Sequence, residues 1–230
     1  MAWRDVLETP LGAAIAGALG GVVVYLGARH VLRGHVAGLP PGVVPPRPTS
    51  VPFAMLNGSP TWPVVTRDKR LGMVSYTDIH DHVHGNWARQ FHALREGRWH
   101  VGIDLYANNG DPVVAIADGT VVAIQSFHLG SWAILVEHDG VVALYGEVRP
   151  NSWQEFGVGV GSRVRRGQPI ARIACMVGTE SSCDSHMLHF ETYVPGTRKN
   201  SPWYQGNPAP PAIRDPTWLL LTAAPPGANT

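Results

Sequence analysis

Two short stretches carry residue types at spacings that could do metal-assisted chemistry. In Arg98-Trp99-His100-Val101-Gly102-Ile103-Asp104-Leu105-Tyr106, a histidine and an aspartate stand four residues apart. Side chains on a strand alternate faces, so His100 and Asp104 would point the same way, with only Gly102 between them. Gly102 carries no side chain, which on this reading leaves room for an ion. Far downstream, Met187-Leu188-His189-Phe190-Glu191 offers a second imidazole at His189. Two imidazoles and one carboxylate form a set that suits zinc, and three protein ligands would leave a fourth position for water. A His and an Asp at this spacing are a weak signal taken alone, since an exposed strand end looks the same.

The elements that must position these residues are strands. Residues 112–117 (Pro-Val-Val-Ala-Ile-Ala) lead to Asp118-Gly119, a hairpin signal, and residues 120–124 (Thr-Val-Val-Ala-Ile) follow. Residues 132–137 lead to a second such turn, Asp139-Gly140, and then to residues 141–145. Residues 157–161 alternate Gly with Val, another strand begins after Gly167, and residues 188–194 form the closing strand. Turns at this spacing without intervening helices predict a mostly β fold, a compact antiparallel β-sheet or sandwich. Residues 87–95 read as helical or irregular. In Asp78-Ile79-His80-Asp81-His82-Val83-His84 the alternating histidines would share a face on a strand, but no downstream partner motif accompanies them. An exposed polar loop is the simpler reading. Near the C-terminus, Asp215-Pro216-Thr217-Trp218 followed by three leucines predicts a short helix, with Asp215 as N-cap and Pro216 at its first position.

The chain has 230 residues, enough for a folded core of about 130 residues with appendages. Its 18 Lys+Arg balance 17 Asp+Glu, which removes any global electrostatic case for nucleic acid. Abundant Gly (26) and Pro (20) fit a turn-rich β domain flanked by irregular segments. Cys175 and Cys183 lie close together just before the second half of the site, and a disulfide between them is expected in an oxidising compartment. Residues 11–28 carry no charge and, with Pro10, approach the length that spans a bilayer. A signal peptide and a buried soluble helix compete with a membrane anchor here; the acidic Asp5 and Glu8 and the lack of a clear cleavage site favour an uncleaved anchor over residues 1–35. Arg29 and Arg33 follow the segment and only Arg4 precedes it, a weak bias toward a cytoplasmic C-terminal domain. Residues 36–70, with eight prolines between 40 and 63, read as a semi-rigid spacer. The folded domain is then expected over 71–222, with its motif core at 95–195, and a disordered tail over 223–230.

The motifs in order resemble the lysostaphin-like (LytM-type) zinc metallopeptidases, which cut peptide cross-links in bacterial cell walls. They are Arg98-x-His100-x-Gly-Ile-Asp104-Leu, Pro112-Val-x-Ala-x-Ala-Asp-Gly-Thr-Val, Val136-Glu-His-x-Gly, Leu144-Tyr-Gly, Val164-x-x-Gly-Gln-x-Ile and Leu188-His189-Phe190-Glu191. The resemblance covers about residues 95–195 and implies Zn2+ held by His100, Asp104 and His189 in a metallopeptidase domain. Active members usually carry one histidine after the Tyr-Gly pair and another two residues before the last ligand; these positions here hold Glu147 and Met187. A carboxylate near a zinc-bound water can act as general base, which makes Glu147, on the strand face of Tyr145, the catalytic candidate. His186 is a second catalytic candidate, although alternation puts it opposite His189 unless a bulge intervenes. Glu191 is expected to orient a ligand from behind, with Tyr145 also close to the site.

The resemblance implies a zinc endopeptidase acting on peptidoglycan peptide stems; with the anchor expected over residues 1–35, its domain is then expected in the periplasm or outside the cell. That location opposes the weak charge bias around residues 11–28. A catalytically degenerate wall-binding or regulatory adaptor is the alternative, and a phage-particle wall hydrolase would share the same site. Oligomeric state is not legible.

Overall fold

A computed structural model describes residues 58–80, 87–179 and 182–224. Helix α1 (Lys69–His80) is followed by β1 (Leu94–Arg95), β2 (Arg98–Trp99), β3 (Gly102–Tyr106), β4 (Pro112–Val114), β5 (Gly119–Ser126), β6 (Trp132–His138) and β7 (Val141–Val148). Then come β8 (Arg163–Val164), β9 (Pro169–Arg172), β10 (Val177–Thr179), β11 (Ser182–Ser185), β12 (Met187–Tyr193), β13 (Trp203–Tyr204), β14 (Ile213–Arg214) and helix α2 (Thr217–Thr222). The largest sheet has seven strands in the order β14-β12-β7-β6-β5-β8, with β3 also paired to β12, and every pairing is antiparallel. The mostly β, antiparallel expectation holds.

The strands at the centre are aliphatic on both faces. Every residue of β7 is buried, and Ala133 to Val136 of β6 are fully enclosed. Such runs fit strands covered on both sides rather than a half-solvated sheet. One cover is the β4–β9 pair, whose Val113, Ile170 and Ala171 have no exposed surface. Strand β12 is the hinge of the design. It pairs with β7 on one side and with β3 on the other, in register His189 opposite Gly146 and His189 opposite Asp104.

Four sequence expectations change. Asp139-Gly140 does join a hairpin, β6 to β7, with Gly140 at φ +78°. Asp118-Gly119 does not: β4 pairs with β9, not β5. Gly119 is needed for space instead, because a Cβ there would lie 2.6 Å from the Glu137 carbonyl and from His138 Nδ1. Second, residues 60–66, expected in the spacer, belong to the domain. Trp62 and Val64 are buried, Val64 bridges to Val113, and the Thr61 N–H donates to the Ile116 carbonyl. At the other end Ala223, placed in the tail, is also buried. Third, residues 69–78, left without an element, form most of α1, and its Ser75 Oγ accepts the Tyr106 N–H of β3 at 2.7 Å. The Asp215 cap is real but one residue displaced: its carboxylate accepts the Thr217 N–H at 2.9 Å, and Pro216 stands just outside α2.

Cys175 and Cys183 form a disulfide that brackets β10 and the start of β11, immediately before β12. Among the described residues no helix is long and apolar enough to cross a membrane. The expected anchor (1–35), most of the spacer, His82, His84 and the last six residues lie outside the described residues.

Candidate metal centre

His100, Asp104 and His189 come together. Their ligand atoms all lie within 4.8 Å of one another. Asp104 on β3 faces His189 on β12 directly across the ladder. The stretch around His100 is not one strand, as alternation implied: β2 stops at Trp99 and β3 starts at Gly102. His100 is fixed by the preceding turn instead. Its N–H donates to the Ala93 carbonyl and its own carbonyl accepts from His92. The space left by Gly102 holds no ion site either. A Cβ there would lie 2.7 Å from His189 Nε2 and from the Phe190 carbonyl, so the glycine admits the His189 ring.

The hydrogen bonds decide where the protons sit. His100 Nδ1 lies 2.8 Å from the Gln90 carbonyl, which can only accept, so Nδ1 carries the hydrogen and Nε2 turns a lone pair inward. Gln90 is itself tied to α1 through the Asp78 carbonyl. His189 Nε2 lies 2.8 Å from Glu191 Oε1, which leaves Nδ1 facing inward. Glu191 accepts a short bond from the Tyr193 hydroxyl, which in turn accepts the Ser201 N–H. His100 Nε2 and His189 Nδ1 then stand 3.2 Å apart, each beside Asp104 Oδ1 at 3.1 and 2.8 Å. Three acceptors pointed at one spot repel unless a cation sits among them. Without a metal, a proton serves. Burial opposes charge on His189, but the hydrogen bonds and charges of Asp104 and Glu191 outweigh it and raise its pKa. Burial works against ionised Asp104 as well, yet its bonds to His100 and His189 hold it well below the carboxylate range. His100 is shifted down by burial. The donor set fits a small divalent ion of the zinc type.

Glu147 lies within electrostatic range of this centre, by a route that alternation does not foresee. Strand alternation would put it with Tyr145, and Tyr145 faces away: its hydroxyl accepts the Ile116 N–H and contacts His138 Nε2. Glu147 has φ +61°, in the left-handed region, at an irregularity in the β6–β7 register. Its carboxyl exchanges charge effects with His189, Asp104, Arg89 and Arg95. Its Oε2 is buried with no hydrogen-bond partner, and burial pushes its pKa from 4.5 up to about 7. The expectation that Tyr145 and Glu147 share a face is therefore wrong, and Tyr145 supports the core.

His186 is not part of the converging group: its Nδ1 bonds the Ala107 carbonyl. Two arginines escaped the sequence reading. Arg95 Nη2 donates to Asp104 Oδ2 at 3.0 Å, and Arg89 lies over the Tyr106 ring with Nη1 on Met187 Sδ. Both sit in the segment that read as irregular, so no pattern marked them. Tyr193 could have been found, since it follows Glu191 by two residues on one strand face.

Residues 98–201, the span that holds all three converging residues, match the sequence model of peptidase family M23. The chain carries an M23 peptidase domain. Murein hydrolase activator EnvC of Escherichia coli is 37% identical to this chain over 110 residues, which is 47% of this chain and 24% of EnvC. The chain thus matches about a quarter of that relative's length. Lysostaphin from Staphylococcus simulans aligns over 56% of this chain and 47% of its own, with 24% identity and a TM-score of 0.41. The isolated lysostaphin catalytic domain aligns over 53% of this chain and 79% of its own, with 23% identity and a TM-score of 0.38.

Proposed function

We propose that this M23 domain is a zinc endopeptidase that hydrolyses peptide cross-links of bacterial peptidoglycan, exported and held at the membrane by the N-terminal segment. The observation that carries the reading is the inward convergence of His100 Nε2, His189 Nδ1 and Asp104 Oδ1, with both ring protons turned outward. Zinc at these atoms would supply Lewis acidity toward the scissile carbonyl and lower the pKa of water. His100 and His189 hold their orientation through Gln90 and Glu191, so no rotamer change accompanies loading. Glu147 is the proton carrier. Its carboxylate takes a proton from the attacking water and returns it to the departing amine.

The test is Glu147→Gln, assayed for bound zinc and for release of soluble fragments from purified cell wall. Zinc should stay near one per chain while turnover falls by roughly 10²–10⁴. Fragment release at the parent rate would remove Glu147 from the chemistry.

A second reading has its own support. The curated relative is named an activator rather than a hydrolase, and Met187 supplies no imidazole beside the centre. A parent protein that binds zinc stoichiometrically and never cleaves wall would be such an adaptor.

A further inference from the structure

Arg89 is a cation beside the centre that the mechanism leaves unused. On the shared face of β3 and β12, the pair Asp104–His189 is followed by the pair Tyr106–Met187. Two residues along a strand is about 7 Å, so the second pair is the next step away from the converging ligands. Arg89 covers it: its guanidinium carbon is 4.1 Å from the centre of the Tyr106 ring, and Nη1 donates to Met187 Sδ at 3.3 Å. A thioether is a weak acceptor, and a ring face does not neutralise a charge. No carboxylate among the described residues bonds Arg89. Asp104, the carboxylate on this face of β3, is committed elsewhere, since it gives Oδ1 to the histidines and Oδ2 to Arg95. Arg89, Tyr106 and Met187 are all half-buried, whereas His189 is buried, so the face opens to solvent at this end. Glu147 lies within electrostatic range of Arg89 but makes no ion pair with it, so among the described residues this half-buried guanidinium has traded hydration for sulfur and π contacts and long-range charge alone. Its planar fork also matches a carboxylate in shape.

We infer that Arg89, seated on the Tyr106–Met187 pair, is a carboxylate-binding subsite that selects peptides carrying an acidic group within about two residues of the bond at the metal centre. The inference deepens the proposed function and relies on it only for the direction in which a peptide would lie. The subsite itself needs no metal. The rival role for Arg89 is mechanical, a clamp holding the turn at residues 87–89 onto β3 and β12.

The experiment uses the full chain stripped of metal. Two acid–amide peptide pairs are titrated by calorimetry: acetyl-Gly-Glu-Gly-amide against acetyl-Gly-Gln-Gly-amide, and acetyl-triglycine acid against its amide. The first pair reports a side-chain carboxylate and the second a chain-terminal one. At least one acid should bind tenfold or more tightly than its amide. Arg89→Gln should erase that preference while leaving the amide's affinity unchanged, and Arg89→Lys should keep part of it. A clamp would move acid and amide together. The inference is overturned if neither pair discriminates, if no peptide saturates, or if the preference survives in Arg89→Gln, which would trace it to protonated His189. Because zinc is absent, failure here leaves the zinc assignment standing, and failure of zinc binding leaves this one standing.

Discussion

Glu191 serves the centre without being one of the converging ligands, because it sets which nitrogen of His189 is free. Its carboxylate holds the Nε2 hydrogen and is itself held by Tyr193. Glu191→Gln keeps the shape but removes the charge, so zinc affinity should fall by about 10–100-fold, measured by competition with a chelating dye. An unchanged affinity would show that orientation alone matters. Glu147 yields a prediction about stability. Its folded pKa of about 7 lies above its ordinary 4.5, so between these values the native state keeps a proton that the unfolded chain has released. The metal-free protein should therefore lose stability through this carboxyl as pH rises across that window, by up to about 3 kcal/mol. Glu147→Gln lacks the penalty, and its advantage over the parent should grow with pH in denaturant titrations. A flat difference would mean that the carboxyl is solvated. His186 neighbours the ligand strand in sequence, yet its Nδ1 bonds the Ala107 carbonyl rather than joining the converging ligands.

At the level of elements, the centre depends on how closely β3 approaches β12. The ring of His189 lies against the Gly102 backbone, and the His100–Asp104 spacing works because the chain bends between β2 and β3. Gly102→Ala would force a methyl to within 2.7 Å of both His189 Nε2 and the Phe190 carbonyl. The strands must part or the ring must leave Glu191. The cost should be about 1–3 kcal/mol of stability together with a clear loss of zinc affinity, read by thermal melts with and without metal. A variant that melts and loads like the parent would show that the ladder relaxes freely. The same element logic explains why Glu147 was assigned to the wrong face. Period-two alternation assumes uninterrupted ladder geometry, and one left-handed residue reverses it. The Asp118-Gly119 signal misled for a related reason. The glycine there answers to a tertiary contact with β6 rather than to a turn.

For the molecule as a whole, the disulfide fixes the approach to the ligand strand. Cys175 and Cys183 are eight residues apart, so the bond closes a short loop, and replacing both with Ser should lower stability by roughly 2 kcal/mol without removing the ligands. A denaturant midpoint unchanged from the parent would mean that β10 and β11 hold themselves. By itself the sequence determined the mostly β class, the β6–β7 hairpin, the cysteine pair and the three residues whose ligand atoms converge. Those features rest on local chemistry: strand periodicity, turn residues and donor type are written within a few positions. Only the tertiary structure decided that Gly102 makes room for a ring, that Glu147 turns inward while Tyr145 turns away, and that Arg89 and Arg95 stand over the β3–β12 ladder. Each of these depends on register between strands far apart in the chain, and a shift of one residue in that register would send every side chain to the other face.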